Sequence, residues 1–145
     1  VYAPLSSYLL PHLIFYAVLV INTFFSIRFF SRIAPENTSQ IAIDTVLVAL
    51  YLALAFSIGR PTQFAFFALC LFIAASTKYP LLLLVIRQTE VLKRKILIDL
   101  MGTAACAVIL GATILGHAFE AAWVAAIGFS LANIYFLLIR PMYRL

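Results

Sequence analysis

The chain predicts an all-α fold: a polytopic transmembrane helix bundle of about five spans, N-terminus outside and C-terminus cytoplasmic. Three observations carry this. Hydrophobic residues make up 66% of the chain and charged residues 10%, whereas a soluble domain carries about 25% charge. Charge is too sparse to cover a water-facing surface. Apolar stretches recur along the 145 residues, each near the ~20 residues that cross roughly 30 Å of hydrocarbon at about 1.5 Å per residue. The basic residues gather at one side of these stretches, as the positive-inside rule requires.

The first span is expected over residues 8–33, ending in the basic, aromatic run Arg28, Phe29, Phe30, Ser31, Arg32. Asn22 and Thr23 interrupt it with side chains able to bond a neighbouring helix. Pro35 ends it, and Asn37 to Ser39 supply N-cap candidates for the next helix. Asn37, Thr38 and Ser39 also match the glycosylation sequon, but on a cytoplasmic loop they read as capping residues. The second span covers 41–58. Gly59, Arg60 and Pro61 make a compact turn in which Gly closes one helix and Pro opens the next.

The third span, 61–87, contains Ser76, Thr77, Lys78, Tyr79 and Pro80. It is one long helix kinked at Pro80, or a short span ending near Lys78 with an interfacial segment after it; the kinked helix is preferred. The fourth span covers 89–116, its first turns basic, and the fifth 121–139 after a tight turn at His117 to Glu120. The whole chain, 1–145, reads as a single transmembrane domain. Its start at Val1 fits initiator-Met removal or a processed or truncated start, and no signal-peptide pattern is visible.

Five spans place the ends on opposite sides. Arg28, Arg32, Arg87, Lys93, Arg94, Lys95, Arg140 and Arg144 then fall on one face, Arg60 alone falls on the other, and Lys78 lies within a helix. The face with eight is cytoplasmic. The net charge of +5 is thereby explained without a nucleic-acid partner. The expected partners are membrane lipid and other membrane-protein subunits or a second copy. An integral membrane location follows, the inner (cytoplasmic) membrane if the source is bacterial.

Two constellations could carry chemistry. Asp44, Lys78 and Asp99 each lie a few residues from the cytoplasmic end of a span, and Lys78 and Asp99 flank the same turn, so these two are expected to meet. An ionisable group inside a span costs about 2.5–3.5 kcal/mol on insertion scales, so each needs a partner. Read functionally, the cluster is a proton or ion relay or a site for a charged substrate. Read structurally, it is an ion pair, or Lys78 snorkels to headgroups while Asp99 pairs with Lys95 one turn away. The structural reading is preferred. On the outer face, His12, His117 and Glu120 are weak candidate ligands for a metal or haem, but their spacing is unspecific. No cofactor or metal is expected.

Helices four and five are rich in small residues. Ala107 and Gly111, Ala112 and Gly116, and Ala121 and Ala125 are each four apart, the spacing that lets helix backbones approach. These helices are expected to form a tight pair. The aromatic first helix, with Phe15, Tyr16, Phe24, Phe25, Phe29 and Phe30, is expected to face lipid, partner or pigment. Cys70 and Cys106 form no CxxC pair and read as packing residues. No phosphate loop, HExxH or Ser/His/Asp set occurs, so no enzyme is expected. The leading functional expectation is a non-catalytic membrane subunit that packs against, assembles or stabilises a larger membrane complex. The alternative is a small oligomeric transporter or channel using Asp44, Lys78 and Asp99.

Overall fold

The computed structural model describes residues 5–33, 38–82 and 89–140. All regular structure among them is helical. A 3-10 turn, Leu5–Tyr8, leads into α1 (Leu9–Ile33); α2 (Thr38–Phe56), α3 (Pro61–Leu82), α4 (Thr89–Ile114) and α5 (Ala118–Ile134) follow, and α5 runs on into a π-helical turn, Tyr135–Ile139. All five are long and apolar enough to cross a membrane, α5 together with its π turn.

The boundaries agree with the expected spans to within a few residues. α2 begins at Thr38 and ends at Phe56, so Thr38 and Ser39 lie inside the helix rather than capping it; Asn37 lies outside the described residues. α3 continues unbroken through Lys78, Tyr79 and Pro80 to Leu82. Pro80 removes one N–H from the ladder, yet the helix survives it. Residues 83–87 of the expected third span lie outside the described residues. α5 begins three residues earlier than expected, directly after His117.

Two glycines shape the turns. Gly59 (φ 90°) and Gly116 (φ 96°) both occupy the left-handed region, which costs glycine little and other residues more. At Gly116 the amide of His117 bonds the carbonyl of Ala112 and the amide of Gly116 bonds that of Thr113. This is the Schellman arrangement that satisfies the last carbonyls of a helix. Gly116 is therefore a helix stop, not a packing residue.

α4 packs most extensively on α3, α5 on α1, and α2 on α3. The expected α4/α5 pairing exists but is not the main seam of either helix. Gly102 on α4 makes room for α3: a Cβ there would stand 2.6 Å from the ring of Phe72. By contrast, a Cβ on Gly111 would meet nothing within 4 Å, and Ala107 is exposed. Ala121 is buried, while Ala112 and Ala125 are partly so. The aromatics of α1 divide: Phe15, Phe29 and Phe30 are buried, and Phe24 and Phe25 are exposed. A helical stripe three to four residues apart points half of them inward, which corrects the expectation of an outward-facing aromatic helix.

The perimeter is apolar. Phe56, Leu115, Leu138 and Val108 are all at least 70% exposed. Patches of this extent are rare on soluble monomers. In lipid such residues cost nothing, and helix association rests on packing and interhelical hydrogen bonds instead.

Candidate functional site

Two buried apolar clusters divide the interior. One contains Phe15, Leu19, Leu54, Phe64, Leu71, Phe72 and Cys106; the other contains Phe29, Phe30, Tyr79, Leu82 and Leu92. Three helices each pass from one cluster to the other through polar residues. On α1 these are Asn22, Thr23 and Ser26, on α3 Ser76, and on α4 Lys95, Asp99 and Thr103. Along the chain, α1 and α3 meet the clusters in one order and α4 in the reverse. A polar layer therefore lies between two apolar plugs.

Hydrogen bonds across helices hold the layer. Asn22 Nδ2 donates to Asn133 Oδ1 of α5 at 2.5 Å, and Thr23 Oγ1 bonds the hydroxyl of Tyr51 on α2. The Ser26 and Tyr79 hydroxyls stand 2.9 Å apart, and Ser76 and Thr103 join α3 to α4 at 3.2 Å. Asn22 and Thr23 thus bond neighbouring helices as their sequence positions predict. Ser26, Tyr51, Tyr79 and Asn133 were not foreseen. The available signal was that Ser26 falls three to four residues from Asn22, Thr23, Phe29 and Phe30, on one helical face.

Lys95 and Asp99 are the layer's charged members. They lie one turn apart on α4, Nζ to Oδ1 3.2 Å, with side chains 9% and 3% exposed. The Lys95 ammonium also sits 5.2 Å from the centroid of the Tyr79 ring, a cation–π distance. The second carboxylate oxygen of Asp99, Oδ2, is buried and has no hydrogen-bond partner among the described residues. A buried carboxylate oxygen in this setting is an acceptor awaiting a donor.

The second ion pair lies at the bundle's edge. Lys78 on α3 bonds Asp44 Oδ1 on α2 at 2.5 Å, and the side chains are 16% and 52% exposed. The pairing thus differs from the expected meeting of Lys78 with Asp99: Asp44 takes Lys78, and Asp99 takes Lys95. The reason is reach. Lys95 shares a helix face with Asp99 at the i, i+4 spacing, while Asp44 comes within reach of Lys78 because α2 packs beside α3.

At the opposite end, His12 is buried and its ring stacks on Phe64 at 4.0 Å and 6°. Its Nδ1 accepts the amide N–H of Gly59 at 3.0 Å. A nitrogen that accepts carries no proton, so the ring is the neutral Nε2–H form. His12 pins α1 to the α2–α3 turn. His117 and Glu120 are exposed, and among the described residues no three His, Cys, Asp or Glu side chains gather to hold a metal. His12 also borders a cavity of about 30 Å³ lined by Phe15, Phe64, Cys106, Thr113 and Ala122 among others, room for about one water.

Together these features define a class: among the described residues all regular structure is helical and five helices are long and apolar enough to cross a membrane, which suggests an integral membrane protein. No protein-family model, curated protein or solved structure matches the chain.

Proposed function

We propose that this chain is a non-catalytic integral membrane subunit that packs against, assembles or stabilises a larger membrane complex. The observation that carries the reading is the fate of the intramembrane charges. Asp44 and Asp99 both have lysine partners within the chain, as a packing subunit requires and a water-lined pathway does not. The apolar perimeter supports it. In this reading the eight basic residues of one face are cytoplasmic and the N-terminus is outside.

A second reading, a small oligomeric transporter, draws on the buried Oδ2 of Asp99 between two apolar plugs. Gentle extraction followed by native mass measurement separates the two. Unlike chains bound to this one support the subunit. A chain free of unlike partners, with ion or solute flux in liposomes abolished by Asp99→Asn, overturns it in favour of transport. Cysteine labelling tests the orientation: labelling of residue 38 from outside intact cells would reverse it.

A further inference from the structure

Asp44 is the seventh residue of α2, about 9 Å along its axis from Thr38. With 19 residues, α2 is about 28 Å long, close to the hydrocarbon thickness. Its carboxylate therefore stands about a third of the way in, on a side chain too short to return to the headgroups. Yet that side chain is 52% exposed on the perimeter. One of its oxygens holds Lys78, and the remainder of the carboxylate faces outward. Charge facing hydrocarbon is costly, and a donor from outside the chain would offset that cost. Lys78, still 16% exposed, carries three N–H groups, of which this bond uses one.

We infer that the α2–α3 face is an isologous docking surface for a second copy of this chain, in which the Lys78 and Asp44 pairs of two protomers close into a ring of four alternating charges. The symmetry of the couple favours this occupant. A lone charge on a two-fold interface meets its own like. Here the two signs lie side by side across the seam between α2 and α3. A two-fold axis along the membrane normal then sets Asp44 opposite Lys78 of the second copy, and Lys78 opposite Asp44 of that copy. Every residue contact is reciprocated, as an isologous interface demands. A foreign cation would satisfy Asp44 but stand uncompensated beside Lys78. A second copy supplies both signs at the matching spacing.

The apolar flank is continuous with the couple. Ile41, Val48, Leu52 and Phe56 are all more than half exposed. They recur on the α2 stripe that carries Asp44, at intervals of seven, four and four. α2 is also the least enclosed span: 11% of its apolar window is buried, against 33% for α3. This dimer goes beyond the subunit reading and stands whether or not unlike chains attach elsewhere.

The test begins with the full chain extracted in mild detergent. A native mass of twice the 16.1 kDa chain is expected, and Asp44→Asn should weaken self-association on the order of tenfold, the size of one hydrogen bond within a membrane. With Cys70 and Cys106 replaced by Ser, Val48→Cys should cross-link two copies on oxidation, whereas Val124→Cys, exposed on α5, should not. The sharpest measurement mixes Asp44→Lys protein with Lys78→Asp protein. Each alone should be monomeric, and the mixture should form heterodimers because every cross-protomer pair is then opposite in sign. If neither reversed variant folds, the native mass and cross-linking decide. A monomeric unmodified chain, cross-linking through Val124 rather than Val48, or capture of an unlike chain by Val48→Cys overturns the proposal. A dimer without unlike chains would instead sustain it and count against the subunit reading.

Discussion

The two ion pairs use the same chemistry in opposite settings. Lys95 and Asp99 sit one turn apart on α4, enclosed between apolar plugs and almost without exposure. Lys78 and Asp44 join two different helices at the perimeter, with half of the aspartate in contact with the surroundings. Burial separates their roles. The enclosed pair is out of reach of the surroundings, so Lys95 and Asp99 neutralise each other within the chain, with the Tyr79 ring beside the ammonium. A pair at the edge retains unused donors and acceptors, which makes it available for contact. Sequence position alone would rank Asp44, Lys78 and Asp99 as equivalent intramembrane charges.

The largest expected effect lies in the enclosed pair. Lys95→Leu should cost about 3–5 kcal/mol, because it leaves the Asp99 carboxylate unpaired. The double variant Lys95→Leu with Asp99→Leu should recover most of that loss. Unfolding of the helical circular-dichroism signal in micelles measures both, and a double variant as unstable as the single one would break the contrast.

His12→Ala extends the same rule to a neutral group. It removes the acceptor of the Gly59 amide and the stack on Phe64, at an expected cost of about 2–3 kcal/mol. An unchanged unfolding midpoint would mean that the α2–α3 turn does not depend on this anchor. Gly102→Ala comes next, at about 2 kcal/mol, since its Cβ would drive into the Phe72 ring. Gly111→Ala is its control: with no neighbour within 4 Å it should stay within about 0.5 kcal/mol of the unmodified protein.

Of the two ion pairs, the perimeter pair should matter less to folding: Asp44→Asn should cost about 1 kcal/mol, because the amide oxygen still accepts from Lys78 and the lysine stem can carry its ammonium towards the headgroups. Its consequence is expected in self-association instead. A folding loss as large as that of Lys95→Leu would erase the distinction between the two pairs.

Much of the architecture was legible along the chain because lipid imposes one-dimensional rules. A span needs about 20 apolar residues, and a left-handed turn favours glycine. Hence the five helices, the turn at Gly59 to Pro61 and the helix stop near Gly116 can be read from residue order. The rest depended on neighbours in space. The small residues of α4 and α5 could not say which helix each approaches, and Gly102 proved to lie against Phe72 of α3. The aromatics of α1 carried no label for inside or outside. Lys78 stood as near in sequence logic to Asp99 as to Asp44, and only the placement of α2 beside α3 gave Lys78 to Asp44. Hydrophobicity is a property of each residue summed along the chain, so the sequence by itself determined the five long apolar helices. A charge pair is a property of distances between helices, so only the tertiary structure decided which acid each lysine serves.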